Sequence, residues 1–92
     1  MSDVKITKEH VEATLKNSKI ECLKMGEKTT VVCVTLPNKF EIIQTSSCVD
    51  PKNYDHELGK SICMKRVEDK IFELEGYLLQ SIKFMGDALI EK

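Results

Sequence analysis

No stretch of this 92-residue sequence approaches the roughly 18 consecutive apolar residues that a membrane-spanning helix needs. The amino-terminal M-S-D-V-K-I-T-K-E-H also lacks the apolar core of a signal peptide. The expected location is therefore the cytoplasm, with no membrane partner. Charge of one sign is missing too: 14 basic against 15 acidic residues leave a formal net charge of −1. Sequence-independent binding to long nucleic acid needs a surplus of Lys and Arg, so long nucleic acid is not an expected partner. A local positive pocket for a small anion remains open. Cys22, Cys33, Cys48 and Cys63 form no C-x-x-C pair. Zinc sites use close pairs because two ligands must arrive from one turn, so the pattern predicts four reduced thiols and no metal.

Catalytic groupings are equally scarce. His10 and His56 are far apart, no Cys or Ser sits in a recognised nucleophile motif, and neither G-x-x-x-x-G-K-[ST] nor G-x-G-x-x-G occurs. The expectation is a protein that is not an enzyme and needs no cofactor. His56, near the start of a predicted helix, reads as a solvated polar residue. The acids Glu68, Asp69, Glu73 and Glu75, interleaved with Lys65, Arg66 and Lys70, read as a solvated helix face. Repeats, low-complexity tracts and linkers are absent, and the length suits a single domain over residues 1–92.

What is present is ordinary in bulk and unusual in pattern. The composition, 41% hydrophobic and 32% charged, belongs to a folded chain rather than a disordered one. Leu58, Ile62, Val67, Ile71, Leu74, Leu78, Ile82, Met85 and Leu89 recur at helical spacing without interruption. A straight helix from Tyr54 to Ile90 would be roughly 55 Å long, against about 30 Å for a compact domain of this length. Either that helix breaks or a second copy covers the overhang. Gly76, costing about 1 kcal/mol relative to Ala, is the expected kink, dividing Asn53–Glu75 from Tyr77–Glu91.

Ahead of it, Thr7 is a predicted N-cap for a short helix from Lys8 to Asn17, with Ile6 and Val11 at hydrophobic-staple spacing. Its thin apolar face suits a place against a sheet edge. Three strands follow, Lys19–Met25, Thr29–Leu36 and Lys39–Ser46, joined by turns at Gly26 and at Pro37-Asn38. T-T-V-V-C-V-T-L is apolar on both faces and is predicted to be the central strand. The fold class is α+β: short N-terminal helix, three-stranded antiparallel meander and long C-terminal helix kinked near Gly76, assembled as a homo-oligomer.

Between the third strand and the long helix, Thr45, Ser46 and Ser47 precede a predicted helix N-terminus at Asn53. Hydroxyls beside free helix N–H groups suit an anionic oxygen, with Lys60, Lys65 or Arg66 adding charge and Tyr54 stacking on a base. The plainer reading stands beside it: Ser and Thr cap the strand end while Tyr54 fills the sheet–helix junction.

The run S-S-C-V-D-P-K-N-Y-D-H-E-L-G-K, continuing to I-F-E-L-E-G-Y-L-L, resembles a family of small tailed-phage proteins. That family carries an S-[AC]-x-V-x-P-x-N-[FY]-D-x-x-[IL]-G-[RK] core and a closing L-E-G-Y-L. The resemblance covers Pro37 to Leu79. Cys63 stands where the family has Ala and Phe72 where it has Trp, and both keep the packing role. The resemblance links the chain to anti-CBASS sponges, phage proteins that sequester a cyclic-nucleotide immune signal in the infected bacterium. It implies a small, non-catalytic homo-oligomer, a dimer or tetramer in the host cytoplasm, holding a cyclic dinucleotide between subunits. Thr45, Ser46, Ser47, Asn53, Tyr54, Lys60 and Arg66 would line the site, and Tyr77 would reach it from a neighbouring subunit. The competing expectation is a phage adaptor that binds a host protein through its helical face.

Overall fold

Apolar residues at every second position make a strand with one buried face, and the central part of this chain has that pattern on β-branched residues. In the computed structural model, which describes residues 5–90 and side chains as far as residue 86, this segment forms a meander. Its strands are β1 (Lys19–Met25), β2 (Thr29–Thr35) and β3 (Glu41–Ser47), antiparallel in the order β1-β2-β3. Ile20 pairs with Val34 and Val34 with Ile42, so these three side chains share one face. Thr30, Val32 and Val34 are buried on that face of β2. β3 ends at Ser47 and begins two residues later than predicted, because Pro37, Asn38 and Lys39 belong to the turn. Lys39 N–H donates to Leu36 C=O at 2.8 Å, and Lys39 takes φ 79°. Phe40 is therefore left exposed in the turn. Gly26 turns the first hairpin at φ 74°, as predicted.

Helix α1 (Lys8–Lys16) starts at Thr7, whose hydroxyl accepts from His10 N–H at 3.2 Å. Its one buried residue is Val11. The sequence predicted that α1 would lie against a sheet edge. Its main partner is instead the long helix, with His10 Nε2 3.5 Å from Glu75 Oε1. Val11 reaches past that contact into the core with Val32 and Val34.

The long helix α2 (His56–Ile90) crosses β2 and β3 and buries Cys63, Val67 and Ile71 against them. Two expectations need correction here. Asn53 is not its N-cap: Pro51–Asn53 form a 3-10 turn, and the Asp55 carboxylate caps α2 by accepting from Leu58 N–H at 3.1 Å. The short Asp side chain, two residues beyond that turn, reaches the free amide while Asn53 is engaged upstream. The helix also runs through Gly76 as one element. A single Gly costs about 1 kcal/mol, too little to end a helix flanked by Leu, Glu and Gln. Leu89's side chain and Glu91 lie outside the described residues.

Thirty-five helical residues cannot be covered by a seven-residue sheet. The molecule measures 62 × 21 × 21 Å with a radius of gyration of 17.1 Å, where a compact chain of this length would have about 12 Å. Beyond Ile71 and Leu74 the apolar stripe emerges: Leu78, Ile82 and Met85 are exposed, as are Tyr77 and Phe84. The second face of the sheet is open as well, carrying Leu23, Met25 and Ile43. Lys65–Asp69 at 3.3 Å and Lys70–Glu73 at 3.5 Å line the solvated side of α2, as its charge spacing predicted.

Candidate functional site

The junction of β3, the 3-10 turn and the first turns of α2 forms a cleft of about 90 Å³. At its inner side α2 comes close to β2 at Gly59. A Cβ there would lie 2.3 Å from Thr30 Oγ1, so only glycine lets the helix approach. Leu58 and Ile62 form the apolar wall, Ser46 faces them from the sheet side, and Ser47 and Lys28 belong to the lining as well.

The sequence-predicted residues divide into two groups. Ser46, Ser47, Asn53 and Tyr54 all line this cleft. Thr45, Lys60, Arg66 and Tyr77 do not. Thr45 points its side chain toward the open face of the sheet, one position out of phase with Ser46. Lys60 follows Gly59, and one residue of α-helix turns it roughly 100° from the face that meets Thr30. Arg66 lies one turn beyond Ile62, where its guanidinium donates to Thr45 C=O at 2.7 Å and covers the outer edge of β3. Tyr77 is exposed on the α2 shaft, some 20 residues and roughly 30 Å further along. The basic residue at the cleft is Lys28, which sequence reasoning missed; its ammonium donates to Val49 C=O at 2.8 Å. A hairpin-turn lysine 18 residues before Ser46 carries no local signal of that contact.

The polar atoms of the cleft are partly spent. Ser47 shares a short hydrogen bond with Thr29, its partner across the strands. The N–H groups of α2, predicted to be free, meet the chain's own Asp55: its carboxylate takes Leu58 N–H, and its C=O takes Gly59 N–H at 2.9 Å. An anion at this helix end must displace or accommodate that carboxylate. Ser46 keeps its hydroxyl unengaged by other described residues. Small-molecule sites usually enclose about 300–1,000 Å³, so this cleft is well below the size that encloses a whole drug-sized ligand.

Tyr54 fills the sheet–helix junction, the plainer of the two sequence readings. Its hydroxyl is 2.8 Å from Thr30 Oγ1 and 2.9 Å from His56 Nδ1, and the Lys24 ammonium lies 4.9 Å from its ring centroid. His56 is not simply solvated: its Nε2 is 3.5 Å from Cys22 Sγ on β1. All four cysteines are unpaired. Burial pushes the Cys63 thiol up from its ordinary value, against the lowering effect of nearby Arg66. Among the described residues no three His, Cys, Asp or Glu side chains gather as a metal site, and no helix is long and apolar enough to cross a membrane.

Larger grooves flank the other end of the molecule. One of about 310 Å³ lies between Ile6 and the Gly76–Leu79 stretch of α2, with Lys5 and Lys83 at its border. Another of about 200 Å³ is lined by Ile6, Leu78, Leu79 and Ile82. Concave apolar surface on the overhanging part of a helix is what a docked partner would fill.

Comparison with curated proteins and with solved structures finds no match. A family model does match, over residues 6–82, which takes in α1, the whole sheet, the cleft and most of α2. The chain belongs to the Phage protein (N4 Gp49/phage Sf6 gene 66) family.

Proposed function

We propose that this phage protein works by binding, and that it sequesters a cyclic dinucleotide of bacterial antiphage signalling without cleaving it. The observation that carries the reading is the cleft at the foot of α2. Ser46 and Lys28 both line that space, and the Lys28 ammonium would exchange its contact with Val49 C=O for a phosphate oxygen. At about 90 Å³ it takes one portion of such a ligand, so the site is completed by a second copy of the chain. An antiparallel α2 pair would do this. It would cover the exposed Leu78, Ile82 and Met85 stripe and carry Tyr77 or Phe84 of one copy toward the cleft of the other, supplying a stacking surface.

Titration calorimetry with a panel of cyclic dinucleotides and cyclic trinucleotides tests the proposal. One of them is expected to bind, and heating the complex is expected to release it intact. Lys28→Ala and Ser46→Ala should each weaken binding about tenfold, equivalent to about 1.4 kcal/mol. No binding across the panel refutes the proposal. Cleavage of the ligand refutes the sequestration part.

The second reading, a phage adaptor for a host protein, draws on a different observation. The adaptor was expected to use its helical face; the uncovered sheet face, with Leu23, Met25 and Ile43 exposed, offers it a second apolar surface. A protein that stays bound to a host polypeptide through that face, and ignores nucleotides, would establish it.

A further inference from the structure

We infer that Cys22 is a base-activated nucleophilic thiol, a site of covalent S-modification by a small peroxide, with His56 as its base and Tyr54 as the residue that positions His56. This inference does not rest on the ligand reading above, although Tyr54 and Thr30 also line that cleft.

Four side chains from three separate parts of the sequence form one hydrogen-bonded row. Cys22 Sγ lies 3.5 Å from His56 Nε2, His56 Nδ1 lies 2.9 Å from the Tyr54 hydroxyl, and that hydroxyl lies 2.8 Å from Thr30 Oγ1. The row has one direction that makes Cys22 a donor throughout. Cys22 S–H donates to Nε2, Nδ1–H donates to the Tyr54 oxygen, and the Tyr54 O–H donates to Thr30. In that tautomer the free ring nitrogen faces the thiol, and the second nitrogen is held by a third group. This is the nucleophile–base–orienter arrangement of nucleophilic catalysis. Thr30 is fully buried and anchors the far end, so Tyr54 and His56 are held in place rather than swinging in solvent.

The surroundings suit the same chemistry. α2 lies over β2 and β3, leaving β1 beyond its main cover, and Cys22 is half-buried rather than enclosed. Lys24 is on the same face of β1, two residues along, and its ammonium sits over the Tyr54 ring. Cys63 supplies a contrast within the same chain: it is fully buried and its thiol is pushed up by desolvation.

The step balances without any further reagent. His56 Nε2 takes the thiol proton as Cys22 sulfur attacks one peroxide oxygen. The S–O bond forms and the O–O bond breaks. The departing hydroxide takes the proton back from His56 and leaves as water. Sulfur is oxidised by two electrons to sulfenic acid and the peroxide is reduced.

Timed labelling with iodoacetamide, read at each cysteine by mass spectrometry, tests the nucleophilicity on the intact folded protein. Hydrogen peroxide followed by dimedone tests the product. Cys22 is expected to label fastest of the four, at least tenfold faster than Cys63, and to be the cysteine that dimedone traps. His56→Gln should slow Cys22 about tenfold and leave Cys33 and Cys48 unchanged. Tyr54→Phe keeps the ring but drops the hydroxyl and should slow Cys22 about threefold. If His56→Gln opens the fold, rapid Cys63 labelling will show it, and Tyr54→Phe then decides. Cys22 reacting no faster than Cys33 and Cys48, or at an unchanged rate in a folded His56→Gln or Tyr54→Phe variant, overturns the inference.

Discussion

Gly59→Ala and Gly76→Ala are the same chemical change on the same helix, and the structure predicts opposite signs for them. At Gly59 the added methyl would stand 2.3 Å from Thr30 Oγ1 and 2.9 Å from Thr30 Cβ. Ordinary contact needs more than 3.4 Å, so either α2 lifts by about 1 Å or Thr30 turns away. Thr30 is fully buried between strand and helix and has little room to turn. Overpacking of this kind costs about 1–3 kcal/mol, and losing the Thr30–Tyr54 hydrogen bond adds about 1 kcal/mol. Against this stands the helix-propensity gain of about 1 kcal/mol on replacing Gly, diminished here because Gly59 is in the first turn. The net is a loss of about 1–3 kcal/mol, or roughly 5–15 °C in Tm for a domain of this size. At Gly76 no atom lies within 4 Å of the added methyl, so only the propensity term acts and Tm should rise by a few degrees. Thermal unfolding followed by circular dichroism, at one fixed protein concentration, measures both. Gly59→Ala as stable as the parent would refute the close-approach argument. A destabilised Gly76→Ala would show another backbone packed against that part of α2.

The overhang of α2 leads to the next expectation: light scattering at micromolar concentration should give a dimer or tetramer mass, and Leu78→Asp should dissociate it. Each apolar side chain covered there is worth about 1.5–3 kcal/mol, so a monomeric parent protein would end the argument. Burial of Cys63 predicts a decline in stability in alkali. Its folded-state thiol titrates above the ordinary 9.0, so the unfolded chain loses its proton first. The stabilisation is full below about pH 9 and is lost as pH rises through the folded value. Cys63→Ala should flatten that decline in pH-dependent denaturation curves. Finally, denaturation without reductant should expose four titratable thiols, and a lower count would reveal disulfides that the structure does not contain.

Much of the fold was legible because it is written in local patterns. The alternating β-branched run Thr29–Thr35 specifies a strand, Gly26 and Pro37-Asn38 specify turns, and Thr7 specifies a helix start. These need only neighbouring residues to be read. Even the helix's excess length followed from counting its stripe against the size of a compact domain. The candidate cleft was legible in part, since Ser46, Ser47, Asn53 and Tyr54 are close in the chain as well as in space.

Tertiary structure decided the rest. Whether Asn53 or Asp55 capped α2 depended on where the 3-10 turn at Pro51 ended, and several short polar residues in a row offer competing caps. Lys28 reaches the cleft only because β2 pairs with β3 in a register that sets Thr29 beside Ser47. Arg66 covers Thr45 only because α2 crosses β3 at one particular angle and depth. That depth is set by the missing side chain of Gly59, whose partner Thr30 is 29 residues away in the chain. The pairing of Cys22 with His56 spans 34 residues and two elements. Sequence periodicity fixes which face a side chain takes along its own element. It carries no information on which residue of a distant element will stand opposite, because that is settled by register and packing.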